Sequence, residues 1–375
     1  MVDFSFTEEQ EMYRQAVRRF AREVLAPRRQ RWDREREYPW EVVQKFSALG
    51  LADPEMDHVT RGIMVEEVSY ADFNCAFPIL ITTLPFELLR LPGVPAEVRQ
   101  PLVEGLHRGT QVFGLGFTEP EAGTDMAGFR TTATKEGDHW LINGCKNSMS
   151  FANCKAVIIT CKTSTERSVR FLTNILVPAD AAGVSQPRFW DDAGTHGTPR
   201  GVMFFENVRV PLSYTVGREG HGYEMVAEVF DTNRAYIGLW CLGSARASVD
   251  EAVEYAKKRV SMGQTISRYQ AVSFTLAEAA TLMEAARWLC FKDLWLADRG
   301  ERHSVEGAMC KWWVPEVAFE VVRRCLIIHG HYGYTRDLPF EQRLRDILGW
   351  QIGDGTPEVS KLIIARSLLG KESVG

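Results

Sequence analysis

Helices, then strands, then helices again: the 375 residues predict an α+β fold in three blocks. Apolar residues recur at helical spacing through residues 1–112. The pattern changes to alternation with turn signals at 113–222. The helical period then returns and persists through 223–375. A chain of this length suggests two or three packed units rather than one. The middle runs are separated by turns and not by helices, so that block reads as a small, mainly antiparallel barrel or sandwich. The last block is long enough for a four-helix bundle.

The elements follow in order. Thr7-Glu8-Glu9-Gln10 is a capping box, with Gln10 placed to reach back to the cap. Met12, Ala16, Phe20 and Val24 then form one apolar stripe, and Pro27 ends the helix. Residues 40–51 and 60–71 have similar helical spacing, and Pro92-Gly93 and Pro95 punctuate the next turn. Val157-Ile158-Ile159-Thr160, residues 171–177 and residues 201–210 are strand-like runs, the last closed by Pro211. Helical patterns cover 223–261, 267–298 and 304–328, the last interrupted at Pro315. Gly330 and Gly333 supply its stop.

Composition narrows the functional classes. The chain is 45% apolar and 25% charged, with a net charge of −5. These are values of an ordinary globular protein. They give no electrostatic case for nucleic acid or an anionic membrane. The basic cluster Arg28-Arg29-Gln30-Arg31 reads as a solvated helix face. The opening MVDFSFTEEQ is acidic and lacks the apolar core of a signal peptide. The uncharged run 73–86 holds two prolines and is too short to span a bilayer. Eight cysteines fall in no CxxC pair and read as reduced thiols of a cytoplasmic protein. His329-Gly330-His331 has no partner cluster nearby, so no metal is expected.

The chemistry concentrates in residues 113–150, answered by 349–365. Thr118-Glu119-Pro120-Glu121-Ala122-Gly123-Thr124-Asp125 comes first, then Ile142-Asn143-Gly144-Cys145-Lys146. Asp354-Gly355-Thr356 and Ile364-Ala365-Arg366 close the series. In this order and spacing they resemble the acyl-CoA dehydrogenase family of flavoproteins, along essentially the whole chain. The resemblance implies FAD between the central and C-terminal blocks, with a neighbouring subunit completing its site. It further implies a homo-oligomer, dimer or tetramer, an acyl-CoA substrate, and an electron-transfer flavoprotein as acceptor.

Backbone N–H groups and short hydroxyls suit a flavin edge, because they approach closely without bulk. By resemblance, Thr118 and the backbone at Phe117 face the pyrimidine edge and Ser150 lies near N5. Thr356 is a further cofactor contact, and Thr124 lies by the pantetheine arm of the substrate. Ser148 stands where relatives commonly place a tryptophan. The turn 258–264 resembles the family's R-x-x-[FM]-G segment and is followed by Gln270. There Arg259 would fork onto the pyrophosphate of the neighbouring subunit's FAD. Residues 329–334 sit where relatives hold GG-x-G against the adenosine, with His331 replacing one glycine and Ile327 the expected glutamine. Phe230-Asp231-Thr232-Asn233-Arg234 resembles the segment meeting the thioester, with Arg234 on the CoA side. Asn233 occupies the place of the catalytic glutamate of some relatives and cannot act as a base. After Leu49-Gly50-Leu51, Ala52-Asp53-Pro54-Glu55 replaces a longer connector, which trims an outer wall of the pocket.

The family reaction removes a proton beside a thioester carbonyl and passes hydride from the next carbon to flavin N5. Asp354 fits the base by position, one methylene shorter than the usual glutamate. An apolar pocket raises a carboxyl pKa and makes a better base once ionised. Aspartate is also a good N-cap, so a cap on the helix 356–369 is the competing role. Gly353, where many relatives carry tyrosine, removes bulk beside the base and frees the backbone. With Ser148 it suggests a widened pocket, for an α-branched or alicyclic acyl group such as cyclohexanecarboxyl. Three other readings stand beside this one: a nitroalkane oxidase-like offshoot with an aspartate base, a non-catalytic FAD- or thioester-binding protein, and an acyl-carrier-protein thioester as substrate.

Overall fold

The computed structural model describes residues 4–51, 53, 55–75, 88, 89, 91–185 and 187–374. Ala52 and Pro54 of the trimmed connector, and most of the uncharged run after Cys75, lie outside the described residues.

The capping box forms as expected. The Gln10 N–H donates to Thr7 Oγ1 at 3.1 Å and the Thr7 N–H to Gln10 Oε1 at 3.2 Å, opening α1 (Glu8–Phe20). The apolar stripe is only partly the expected one: Phe20 is buried and Val24 packs against the core, but Met12 and Ala16 face solvent. Met12 is 71% exposed, and the buried residues are Val17 and Phe20, continued by Ala21 and Leu25. Steps of four residues overshoot a helical turn, so a stripe built only on them drifts off the buried face. One π-helical turn, Ala21–Leu25, ends the run before Pro27. α2 (Arg29–Glu35), α3 (Trp40–Ala48), α4 (His58–Ala71) and α5 (Ala96–His107) complete the first block.

α4 docks this block on the C-terminal helices. Its Glu66 meets Arg287 at 2.8 Å and Arg246 at 3.1 Å, while Glu67 meets Arg18 at 2.7 Å and Arg246 at 3.0 Å. Contact is close because Gly243 faces α4: a Cβ there would lie 2.0 Å from Ser69 Oγ.

The middle block is one mixed sheet. β1 (Gly114–Gly116), β2 (Thr132–Glu136), β3 (His139–Ser150), β4 (Ala156–Lys162), β5 (Leu172–Pro178), β6 (Arg188–Phe189), β7 (Arg200–Pro211) and β8 (Thr215–Val216) join in the order β6-β7-β3-β2-β4-β5-β8. β1 adds to β4 in parallel, β2 touches β4 in parallel at one residue pair, and the remaining pairings are antiparallel. The β3–β7 register slips between Ile142 and Gly144 and again between Lys146 and Met149. Such irregularities re-aim side chains out of the ladder. The second one releases Asn147 and Ser148.

The helical block holds α6 (Gly222–Lys258), α7 (Gln270–Asp298), α8 (Ser304–Ile328), α9 (Phe340–Ile352) and α10 (Pro357–Leu369), with a short β9–β10 hairpin (Val260–Ser261, Gln264–Thr265) between α6 and α7. Pro315 does not interrupt α8, which runs through it. The cost of its missing N–H is borne within a helix packed along α6 and buried at Val314, Val317, Ala318 and Val321. α9 has no counterpart in the sequence reading. Its buried face carries Gln342, Arg343 and Asp346, which mask the apolar period. Arg343 is satisfied by Glu251 at 2.8 Å and by Ser248 Oγ at 2.9 Å.

His329 is core rather than ligand, with its ring stacked on Tyr255 at 4.4 Å and its Nδ1 by the Cys325 carbonyl. All eight cysteines are free thiols. Among the described residues, no helix is long and apolar enough to cross a membrane.

Candidate active site

A small cavity of about 100 Å³ opens where the sheet meets the bundle. The sheet side supplies Phe117, Thr118, Asn147, Ser148 and Ser150. The bundle side supplies Asn233, Ile237 and Trp240 from α6, and Trp350 and Asp354 from the end of α9. Four of the residues singled out for the site, Phe117, Thr118, Ser150 and Asp354, therefore meet around one space.

The sheet side is held by a buried ion pair that the sequence reading quoted inside two motifs without giving it a role. Lys146, fully buried, donates to Glu119 Oε1 at 2.8 Å and to the Phe117 carbonyl at 3.0 Å. Its ammonium lies 4.0 Å from the centroid of the Phe129 ring. Glu119 accepts the Arg130 and Thr131 N–H groups at 2.6 and 3.1 Å. The Asn147 N–H donates to the Thr118 carbonyl at 2.8 Å. The two motifs are thus one tied unit that fixes residues 117–119 against β3.

Ser148 adopts φ +56° beside the cavity, its N–H on Asn147 Oδ1 at 2.7 Å. The indole N–H of Trp190 reaches the same oxygen at 2.9 Å. Trp190 follows β6 and is itself 43% exposed, outside the cavity lining. Trp240 and Trp350 close the far side, with ring centroids 4.6 Å apart and only 1% and 5% exposed. Indoles from α6 and α9 thus wall the cavity that Ser148 also lines.

Asp354 stands in a strained turn. Its φ is +57°, Gly355 follows at +103°, and Gly353 is at −64°. The conformational freedom read into Gly353 is not used there: any residue adopts that φ, and a Cβ would make only ordinary contact with Trp350. The left-handed burden falls on Asp354, where aspartate is among the more tolerant residues. Asp354 is not the helix cap. Thr356 caps α10 through its hydroxyl, which accepts the Val359 N–H.

The Asp354 carboxylate accepts from Asn233 Nδ2 at 3.0 Å. Burial raises its pKa above the ordinary aspartate value, opposed by Lys311, Arg200, the Asn233 bond and Arg234. A base poised above the normal carboxylate range is suited to proton abstraction near neutral pH. Replacing Asn233 by Asp would set a second carboxylate within hydrogen-bond reach of the first. We expect Asn233→Asp to move the acid limb of the pH–rate profile upward by at least about one unit, since two such groups resist ionising together. An unmoved limb would show that Asn233 does not face the base in solution.

The remaining sequence candidates lie outside the cavity. Arg234 is 8% exposed and paired with Asp231, whose other oxygen accepts the Ser304 hydroxyl. Its guanidinium is held within the bundle by that pair. Thr124 lies on an exposed loop beside Asp125, which is paired with Arg167. Arg259 and Gln270 are exposed on either side of the β9–β10 hairpin. What sequence reasoning missed is Asn147, Trp240, Trp350 and the Lys146–Glu119 pair. Of these only the pair carried a local trace, as the Glu119 and Lys146 positions of two recognised motifs.

The donor set fits a flavin ring. Among the described residues the hydroxyls of Thr118, Ser148 and Ser150 have no protein hydrogen-bond partner, and flat aromatic walls stand opposite. Phe117, Thr118 and Ser150 would hold the ring, with Asp354 across the substrate space.

Comparison with known proteins agrees along the chain. Profiles described as the N-terminal, middle and C-terminal domains of acyl-CoA dehydrogenase match residues 7–93, 114–208 and 220–369. A probable acyl-CoA dehydrogenase, YngJ, of Bacillus subtilis is 31% identical, covering 98% of this chain and 100% of that protein. A 3-(aryl)acrylate reductase of Clostridium sporogenes is also 31% identical, covering 97% and 99%. The solved structure of butyryl-CoA dehydrogenase from Megasphaera elsdenii superposes with a TM-score of 0.92 at 27% identity, over 98% of this chain and 100% of that one.

Proposed function

Since the chain belongs to the acyl-CoA dehydrogenase family, we propose that it interconverts a short acyl-CoA and its 2-enoyl-CoA, with Asp354 as the base. The protein is an FAD-dependent oxidoreductase acting on acyl-CoA thioesters. When bound, FAD supplies the acceptor for the hydride leaving the β carbon. The chain supplies the rest. Asp354 takes the α proton, Asn233 holds that carboxyl in place, and Trp240 and Trp350 keep water from the reacting carbons.

The observation that carries the reading is the placement of Asp354 in the one cavity that also gathers Phe117, Thr118 and Ser150. The short substrate is supported by the paired indoles of Trp240 and Trp350, which wall the cavity beside Asp354. The name of one solved relative, a butyryl-CoA dehydrogenase, points the same way. This reading takes the place of the ring or branched group suggested by Ser148 and Gly353. The exposed Arg259 and Gln270 support a cofactor site shared with a second copy, hence at least a dimer. We further read an electron-transfer flavoprotein as the acceptor. The eight free thiols support a reducing, cytoplasmic setting.

The test is anaerobic flavin bleaching with one thioester at a time. We expect butyryl-CoA to bleach the flavin faster than cyclohexanecarboxyl-CoA by about tenfold or more, an energy difference of about 1.4 kcal/mol in the barrier. The reverse order would restore the alicyclic reading. No bleaching with any thioester would leave the nitroalkane-type offshoot or a non-catalytic binding protein.

A further inference from the structure

We propose that Lys311 is a positioning residue for the base: its buried ammonium fastens the end of α9 from which Asp354 springs and supplies the counter-charge for that carboxylate. The inference rests on Asp354 being the base.

Lys311 comes from α8 and is fully buried. Lysines are almost never fully buried without a partner. Its Nζ donates to the Trp350 carbonyl at 2.8 Å. That carbonyl lies in the last turn of α9, where carbonyls have no helical donor and where the helix dipole favours a cation. The same bond holds Trp350, one wall of the cavity, four residues before the base.

The charge balance singles out this lysine. Asp354 is faced by Lys311 from α8, Arg200 from β7, and Arg234 and Asn233 from α6. Arg200 already meets Asp192 at 3.2 Å and Arg234 already meets Asp231. Lys311 has no ion-pair partner within 4.0 Å among the described residues, so Asp354 is the acid that balances it. The other groups facing Lys311 are Cys241, a thiol that burial keeps neutral, and Arg234. Burial brings the ammonium down to about 8 even with Asp354 favouring its charged form. A neutral Lys311 would leave the carboxylate in an apolar site with only cations already committed elsewhere.

The test uses the FAD-loaded enzyme and three variants. Lys311→Gln retains a donor for the Trp350 carbonyl without the charge, Lys311→Arg retains the charge, and Asp354→Asn checks the base. Two readouts are followed: the acid limb of kcat/KM, and the titration of the Asp354 carboxyl carbon in enzyme labelled with 13C-aspartate. The Asp354 signal is assigned by its loss in Asp354→Asn. In Lys311→Gln we expect both midpoints to rise by about one pH unit, because a cation that favours the ionised acid is gone. In Lys311→Arg both should stay near the parent values. Unchanged midpoints in a folded, flavin-bearing Lys311→Gln would overturn the assignment while leaving the base in place. Near-normal turnover in Asp354→Asn would overturn both, and should Lys311→Gln fail to take up FAD, a raised midpoint in Lys311→Arg would equally overturn it.

Discussion

Asp354→Asn should abolish most turnover and leave the protein as stable as its parent or more so. A general base contributes about 10²–10⁴-fold, so kcat should fall by that factor at every pH, with flavin content unchanged. Asparagine suits this test for two reasons. It tolerates the left-handed φ of +57° as well as aspartate does, and it fills the same space. The stability sign follows from the raised pKa. A carboxyl whose pKa is raised by folding stabilises the fold below its ordinary pKa. That contribution is lost as pH climbs through the raised value. At neutral pH the ionised group is therefore a net cost, which asparagine removes. Thermal melting at pH 7 and at pH 5 checks this: the advantage of the variant should shrink at the lower pH. The parent enzyme should show an acid limb in kcat/KM above the usual aspartate range, and that limb should vanish with the base. Near-parental turnover in a flavin-bearing Asp354→Asn would remove this residue from the chemistry.

The largest stability effect should come from Lys146→Met, about 3–5 kcal/mol. Lys146 and Glu119 have side chains 0% and 4% exposed and 2.8 Å apart. Methionine matches the lysine stem in volume, so the loss is that of the charge and its hydrogen bonds rather than of packing. Glu119 is left buried without its cation, and the Phe117 carbonyl loses its donor. Because that carbonyl belongs to the expected flavin edge, FAD affinity should drop with stability. The double variant Lys146→Met with Glu119→Gln should recover a good part of the denaturation midpoint, since no charge then stays unpaired. Failure of the double variant to recover would trace the loss to packing around Phe129 instead.

Much of this site could be read from the chain alone because its parts are local. The capping box at Thr7, the strand runs around Val157 and Gly201, and the order of the three motifs all depend on residues within a few positions of one another. Asp354 was legible as the base candidate by its place between two glycines and before Ile364-Ala365-Arg366. Other features were read from the right residues with the wrong consequence. Ser148 and Gly353 are small, but smallness at one position does not measure a cavity. Trp240 and Trp350 wall it, and no spacing rule links them to positions 148 and 353. Met12 fitted a four-residue stripe yet faces solvent, since periodicity marks a face only to within a turn. α9 stayed hidden because its buried face carries Arg343 and Asp346, whose partners lie on other elements.

By itself the sequence determined the helix–strand–helix order, the ends of most elements, and the family reached through Thr118, Lys146 and Asp354. Those rest on short-range physics: caps, turn residues and periodicity. The tertiary structure alone decided what surrounds the base. Asn233 meets Asp354 across 121 residues of chain, and Lys311 reaches Trp350 across 39. Contacts over such separations are set by how α6, α8 and α9 pack and not by any local preference, so the volume of the pocket and the charge environment of its acid appear only when those helices are brought together.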